Sequence, residues 1–276
     1  MNDLNRMLWK IVYKIGNYHI GQLQIGNAAF FGVTAGVYSQ LHKPLDKRAA
    51  RVGVFGNAFD NYVPRDVGLD IDKVYCKAQI IGESIANEGL IFVNGACPGI
   101  PNIAAQGSRA KNGIVTGFSP LENEAAHLDG YNLSKDEIPH TLITYLGKTK
   151  SGKQIPVDID RLFITRDVVS IFSSDAIVVI GGSYGTNHEV AVAAELGLLI
   201  MLLKGTGGVA HHAKEYYESI RKPNNSSHFI EEENPKVLVE RMLGELNSRD
   251  ALTRQFNPGK DPLDAVIQRI EAQQHN

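Results

Sequence analysis

Residues 176–189 of this chain read AIVVIGGSYGTNHE, and they are the segment that indicates the fold class most clearly. Its first five residues are apolar and form an unbroken run, which a pair of glycines then closes. A short unbroken apolar run is typical of a strand that is buried on both faces of a sheet. The residues that follow have helical spacing from Thr186 to Leu196. The stretch therefore predicts one strand-and-helix unit of a parallel sheet.

The same alternation of apolar runs and helical segments extends over most of the chain from Arg51 onwards. It predicts an α/β protein with a doubly wound, mostly parallel sheet, right-handed crossovers and a Rossmann-like three-layer α/β/α arrangement. Strands are predicted at 52–55, 90–93, 114–118, 141–146, 176–180 and 198–203, and helices at 70–86, 103–111, 160–173, 186–196, 209–221 and 235–246.

This pattern divides the chain into three parts. Residues 51–248 are predicted to form the Rossmann-like domain. Residues 1–50 are an N-terminal extension whose aromatic residues and glycines alternate without a clean period, which leaves a hairpin and a short helix as alternatives. Residues 249–276 are predicted to be a C-terminal helical tail.

Composition and charge exclude several classes of partner. The formal net charge is −2, which gives no electrostatic case for nucleic acid binding. The apolar stretch 25–38 is too short and too interrupted for a membrane span, which needs about 20 apolar residues. We see no signal peptide and only two cysteines, so we expect a cytoplasmic protein with reduced thiols, no membrane partner and no disulfide framework.

Four glycine-rich loops are predicted at the carboxyl edge of the sheet, where open parallel sheets bind ligands. Glycine lets backbone N–H groups approach an anion, and the helix N-terminus that follows adds the positive end of a dipole. The alternative is that tight strand-to-helix turns need glycine without any ligand. The candidate ligand-binding and phosphate-binding residues are Gly56, Asn57, Gly95, Pro98, Gly99, Gly181, Gly182, Ser183, Tyr184, Gly185, Thr186, Thr206, Gly207 and Gly208.

None of these loops has the spacing of the G-x-G-x-x-G dinucleotide fingerprint or of the G-x-x-x-x-G-K-[ST] loop. The sequence therefore disfavours an ordinary NAD-dependent oxidoreductase and a P-loop NTPase. No metal site is predicted, since the pair His211-His212 lacks partners at ligand spacing, and no cofactor is required.

Three of the loops resemble motifs of the LOG-like Rossmann family. That family includes cytokinin-activating nucleotide phosphoribohydrolases, molybdenum-cofactor carrier proteins and nucleotide-sensing SLOG domains. Its motif P-G-G-x-G-T-x-x-E is similar to residues 181–189, where Gly181 replaces the proline and Ser183 replaces the second glycine. Residues 95–100 are similar to its G-G-G-P-G-x-M loop, and Thr206-Gly207-Gly208 is similar to a glycine pair of several SLOG members.

The resemblance implies two catalytic residues, Arg166 and Glu189. Arg166 stands where the family has the arginine of an M-x-x-R-K motif, although Phe163 replaces the methionine and Asp167 the lysine. Sequence order also places both residues at the carboxyl edge of the sheet, so they could share a pocket. The alternatives are a solvated helix residue for Arg166 and an S/T-x-x-E capping box for Thr186 and Glu189.

Two functions follow from this resemblance. The first is hydrolysis of the N-glycosidic bond of a nucleoside 5′-monophosphate, in which Glu189 would stabilise positive charge on the ribose or activate water. The second is binding without turnover, by a carrier or sensor of a nucleotide or a pterin-type cofactor. Ser183 and Asp167 favour the second function, because Asp167 could neutralise the charge that Arg166 needs to present. The resemblance also implies a small-molecule nucleotide ligand and a homodimer.

Overall fold

The computed structural model describes residues 8–15, 18–25, 28–33, 50–58, 69–146, 159–223 and 225–253. Residues 49–246 form one compact unit, and the N-terminal strands belong to a second unit. None of the described helices combines the length and the apolar character that a membrane span requires. Of the predicted C-terminal helical tail at residues 249–276, the structure describes only residues 249–253, which are helical.

The N-terminal strands form a three-stranded antiparallel sheet in the order β1-β2-β3. The strands are β1 (Leu8–Ile15), β2 (Tyr18–Ile25) and β3 (Ala28–Val33). The described part of the N-terminal extension therefore has the antiparallel pairing of a hairpin, which is one of the two alternatives.

The main unit contains a seven-stranded sheet in the order β10-β9-β8-β4-β5-β6-β7, and every recorded pairing in it is parallel. This confirms the predicted doubly wound α/β fold. The strands are β4 (Arg51–Gly56), β5 (Ile91–Asn94), β6 (Ile114–Ser119), β7 (Leu142–Tyr145), β8 (Ala176–Ile180), β9 (Leu199–Leu203) and β10 (His228–Glu232).

Helices cover both faces of this sheet. Right-handed crossovers place α1 and α2 on one face and α4, α5 and α6 on the other, and α1 packs on α2 as α4 packs on α5. The helices are α1 (Ile71–Asn87), α2 (Ile100–Ala110), α3 (Glu124–Tyr131), α4 (Ile159–Phe172), α5 (Tyr184–Glu195), α6 (Gly208–Ser219) and α7 (Pro235–Thr253).

The burial of the central strands explains why the fold can be predicted from the sequence. All residues of β8 and β9 are buried, as expected for strands with helices on both faces. Strand β4 lies between β5 and β8. Strands β5 and β6 are added to the sheet on one side of β4, and strands β8, β9 and β10 on the other side. The register pairs Gly56 with Ile180, so the loops after β4 and β8 leave the sheet side by side. This is the topological switch point, where ligands bind in folds of this kind.

Candidate functional site

The Gly181-Gly182 turn after β8 is held by side chains from the two neighbouring strands. The Gly181 N–H donates to the Thr206 hydroxyl at 2.9 Å, and the Gly182 N–H donates to the Asn57 side-chain oxygen. The Thr206 hydroxyl itself donates to the Leu203 carbonyl at the end of β9. Asn57 and Thr206, both predicted to contact ligand, therefore bind the turn and tie together the ends of β4, β8 and β9.

Helix α5 begins two residues earlier than predicted. Ser183 is its N-cap, and Tyr184 is its first residue. Gly181 and Gly182 have φ values of +62° and +104°, which lets the chain turn tightly enough to start the helix at once. Thr186 is thus the third helical residue rather than the cap, so the capping-box alternative for Thr186 and Glu189 is wrong.

The first turn of α5 leaves N–H groups available. Ser183 makes no side-chain cap bond, and the structure records no acceptor for the N–H groups of Tyr184, Gly185 and Thr186 within its described part. The first turn also contains no acidic residue. Backbone N–H groups and the positive end of the helix dipole are the features that bind phosphate at a helix N-terminus.

The other two described helix starts behind glycine loops differ in this respect. In α2, the Ile100 N–H donates to the Asn57 carbonyl at 2.9 Å and the Asn102 N–H to the Gly99 carbonyl at 3.1 Å. In α6, the Val209 and Ala210 N–H groups donate to the Gly182 and Gly181 carbonyls at 3.1 and 2.9 Å. The first N–H groups of α2 and α6 therefore donate to backbone carbonyls, whereas the corresponding N–H groups of α5 have no recorded acceptor.

Thr186 adds a hydroxyl to the same place. It is only 3% exposed, and no hydrogen bond to its hydroxyl is recorded among the described residues. A Cβ on Gly182 would lie 2.5 Å from the Thr186 methyl carbon and 2.9 Å from its hydroxyl oxygen. A hydroxyl at this position can donate to an anion that the first-turn N–H groups bind.

Glu189 lies one turn after Thr186 on the same buried face of α5 and is 6% exposed. Helical side chains lean towards the N-terminus, so its carboxyl group lies over the turn that carries Thr186. Burial raises the pKa of Glu189 well above its usual value of 4.5, the charge of Asp167 raises it further, and Arg166 offsets this only in part. The carboxyl group therefore keeps its proton to a higher pH than an exposed glutamate does.

Arg166 is buried on α4, seven residues after Ile159, about 10 Å along the helix axis. Its side chain reaches the loop after β5, where Nη1 donates to the Gly95 carbonyl at 3.2 Å. A Cβ on Gly95 would lie 2.6 Å from this nitrogen, so the glycine makes room for the guanidinium group. Arg166 lies close enough to Glu189 for its charge to act on that carboxyl group. No ion pair within 4.0 Å joins the two side chains among the described residues.

The counter-charge of Arg166 is its sequence neighbour Asp167. The Arg166 Nε and Nη2 atoms lie 2.9 and 2.7 Å from Asp167 Oδ1, and both side chains are buried. The other carboxylate oxygen of Asp167 lies 3.1 Å from Nδ1 of His188 on α5. The sequence identifies Asp167 only as a departure from a family motif, and its contact with His188 depends on the packing of α4 against α5.

Cys97 lies in the loop after β5, beside this charged group. Burial raises the pKa of the Cys97 thiol to about 11, although the nearby Arg166 opposes this shift. The thiol is therefore protonated at neutral pH, which is consistent with packing rather than with a nucleophilic role.

The other predicted site residues surround this centre. A Cβ on Gly56 would contact the Ile180 carbonyl, and one on Gly99 would contact the Asn57 carbonyl, so both glycines allow close backbone approach. Pro98 is half-buried. Tyr184 and Gly185 are exposed at the start of α5, and Gly207 is the N-cap of α6, which begins at Gly208.

A second polar cluster, which the sequence did not reveal, shapes the loop after β5. The Asn94 side-chain oxygen accepts from the Ala96 N–H and lies 2.8 Å from Nε2 of His140. The Asn94 amide nitrogen donates to the Pro101 carbonyl. Burial lowers the pKa of His140 to about 3, so the ring is neutral and serves as a fixed partner of Asn94. No group of three or more His, Cys, Asp or Glu side chains that the structure describes could hold a metal ion.

Together these features define a Rossmann-like α/β protein whose candidate site is the start of the helix after β8, with a buried glutamic acid beneath it. Residues 49–239 match the family model described as the SLOG cluster4 family, and the chain belongs to that family.

The chain is also similar to individual known proteins. The chain is 28% identical over 133 residues to an uncharacterised protein of Archaeoglobus fulgidus, which covers 48% of this chain and 72% of that protein. The solved structure of TM1055 has a TM-score of 0.54 at 21% identity and covers 71% of this chain and 99% of its own. The molybdenum cofactor binding protein of Rippkaea orientalis has a TM-score of 0.49 at 20% identity, over 72% of this chain and 98% of its own. At these identities the structural likeness concerns the fold alone.

Proposed function

We propose that this protein binds a phosphate-bearing nucleotide or nucleotide-type cofactor, with the phosphate at the N-terminus of α5. The observation that carries the proposal is the set of three first-turn N–H groups of α5 without recorded acceptors, with the hydroxyl of Thr186 in the same turn. A phosphate oxygen accepts from such N–H groups and from a hydroxyl. Gly182 has no side chain that would obstruct this approach.

The charges around the site favour a ligand that Arg166 does not bind directly. Asp167 neutralises the guanidinium group, and Nη1 of Arg166 also donates a hydrogen bond to the Gly95 carbonyl. The attraction for an anion therefore comes from the helix dipole and the N–H groups. The raised pKa of Glu189 favours its neutral form, which donates a hydrogen bond and suits a ribose hydroxyl or a ring nitrogen better than a second anion.

Binding without turnover is the function that this arrangement supports best. A hydrolase needs a group that activates water and a group that stabilises charge on the sugar. Asp167 neutralises Arg166, and burial disfavours the charged form of Glu189, so neither side chain is well suited to these tasks. We therefore infer that the protein acts as a carrier or a sensor of its ligand.

The raised pKa of Glu189 supports a second candidate function. A carboxylic acid that stays protonated near neutral pH can act as a general acid. In hydrolysis of a nucleoside monophosphate, Glu189 would give its proton to the base nitrogen as the bond to the ribose breaks. A water oxygen would bond to the ribose carbon and release its proton.

Incubation with a panel of nucleoside 5′-monophosphates separates the two functions. The expected result is a raised melting temperature with at least one nucleotide and no release of free base, measured by chromatography. At 100 times the dissociation constant, binding adds about 2.7 kcal/mol to the free energy of unfolding. Release of free base would establish the hydrolase, and a melting temperature that no phosphate-bearing nucleotide or cofactor raises would contradict both functions.

Replacing Thr186 by valine tests the anion site directly. Valine has nearly the same shape, so the variant should remain folded while its affinity for the nucleotide falls about tenfold, as expected for one lost hydrogen bond to a charged group. Isothermal titration calorimetry measures the affinity. Thr116→Val, at a threonine of β6 whose hydroxyl donates to the Phe92 carbonyl away from the site, is the matched control. An unchanged affinity in Thr186→Val would remove the threonine from the site.

We also propose that the protein is a homodimer, as the resemblance to the LOG-like family implies. Light scattering with size-exclusion chromatography should then give twice the chain mass of 30.2 kDa. A monomeric mass over the working concentration range would contradict the dimer.

A further inference from the structure

A cavity of about 430 Å³ lies between the starts of α5 and α6, next to the proposed phosphate position. Its volume is within the range of about 300–1,000 Å³ that is typical of small-molecule sites. Gly182 and Ser183 line one side of it and belong to the turn that leads into α5. The remaining lining residues are Tyr184, Asn187, Gly208, Val209, His212, Ala213 and Tyr216.

Two tyrosines give this cavity an aromatic character. Tyr184 is 95% exposed and Tyr216 is 56% exposed, although large aromatic side chains are usually well buried. They come from different helices and both line the same cavity. Exposed aromatic rings beside a pocket are the surface on which planar rings stack.

The polar side chains that line the cavity are hydrogen-bonding groups. The Asn187 side-chain oxygen accepts from the Tyr217 hydroxyl at 3.0 Å, which fixes the amide and leaves its NH₂ group as a donor. Ser183 contributes a hydroxyl and His212 an imidazole. None of the lining residues that the structure describes is Lys, Arg, Asp or Glu. The cavity therefore suits a neutral heteroaromatic ring rather than a phosphate group.

We propose that this cavity binds the planar heterocycle of the ligand, stacked on Tyr184 and Tyr216, with the Asn187 amide as a donor to a ring nitrogen or carbonyl. This inference rests on the proposed function, since Ser183 and Gly182 join the cavity to the phosphate position at the start of α5. The ligand class is thus a purine or pterin-like ring attached to a phosphate.

The test compares a ligand that has a ring with one that lacks it. Isothermal titration calorimetry is carried out on the full chain with AMP, GMP and ribose 5-phosphate. The wild-type protein should bind a purine monophosphate at least tenfold more tightly than ribose 5-phosphate. Tyr184→Ala and Tyr216→Ala should each weaken the purine nucleotide about tenfold, as expected for one lost stacking contact, and leave ribose 5-phosphate unchanged.

Ile220→Ala is the matched control, because Ile220 is an exposed apolar residue just after α6 and does not line the cavity. Both tyrosines are exposed, so their loss should not unfold the protein, and circular dichroism checks this. Equal affinities for purine nucleotide and ribose 5-phosphate, or tyrosine variants that bind like Ile220→Ala, would overturn the ring site while the phosphate site stands. If the tyrosine variants weakened the binding of both probes alike and only converted a dimer to a monomer, the ring site would be overturned as well. A wild-type protein that binds neither these probes nor any other phosphate-bearing nucleotide or cofactor would contradict the proposed function itself.

Discussion

Replacement of Asp167 by asparagine is expected to lower the free energy of unfolding by about 3–5 kcal/mol, the typical cost of breaking a buried ion pair on one side. Asparagine keeps the shape of the side chain but removes the charge that lies 2.7 Å from Arg166 Nη2. The guanidinium group then remains buried without its counter-charge. Urea denaturation of the wild type and the variant measures the change.

Two further variants show whether the lost charge is the cause. Asp129→Asn, on the exposed side of α3, should change the free energy of unfolding by no more than about 0.5 kcal/mol. Arg166→Met combined with Asp167→Asn removes both charges and should be more stable than Asp167→Asn alone. A loss of less than about 1 kcal/mol in Asp167→Asn would show that Arg166 has another source of compensation.

Replacement of Glu189 by glutamine is the second prediction with a large expected effect. Glutamine resembles the protonated acid in shape and hydrogen bonding, so nucleotide binding should be retained. If the wild type releases free base, this rate should fall on the order of 100-fold or more, because glutamine cannot transfer a proton. Glu195→Gln, at the exposed end of the same helix, is the control and should leave the rate unchanged. Equal rates in wild type and Glu189→Gln would exclude Glu189 as the acid.

The stability of Glu189→Gln gives a readout that does not depend on activity. The pKa of Glu189 is raised in the folded protein above its usual value of 4.5. Above this pH the folded state retains a proton that the unfolded state releases, so the free energy of unfolding of the wild type falls as the pH rises. The fall ends when the pH passes the raised pKa. The glutamine variant lacks this dependence and should be at least as stable as the wild type at neutral pH, whereas a parallel pH profile would contradict the raised pKa.

The central sheet is predictable because its strands are recognisable from local sequence. The residues of β8 and β9 are apolar without interruption, which is what burial under two layers of helices requires. Strand β10 was not predicted, since His228–Glu232 carries polar residues and lies at the edge of the sheet. Helix α3 was also not predicted, because its sequence has almost no separation of apolar and polar faces.

The site was predictable in its location but not in its detail. The four glycine loops look equivalent in sequence, and only long-range contacts distinguish them. The donors at the start of α6 are used by the Gly181 and Gly182 carbonyls, which are more than 25 residues away in sequence. The early start of α5 likewise depends on the backbone angles of Gly181 and Gly182, which the sequence permits but does not specify.

The bonds of Asn57 and Thr206 to the Gly181-Gly182 turn have a consequence for the kinetics of recognition. The protein's own side chains fix the shape of this turn, so a ligand does not have to order it, and association loses little conformational entropy there. Encounter should then be governed by diffusion and orientation rather than by rearrangement of the turn. Competing ligands would differ mainly in how long they stay bound, because discrimination by a rigid site is expressed in dissociation rates.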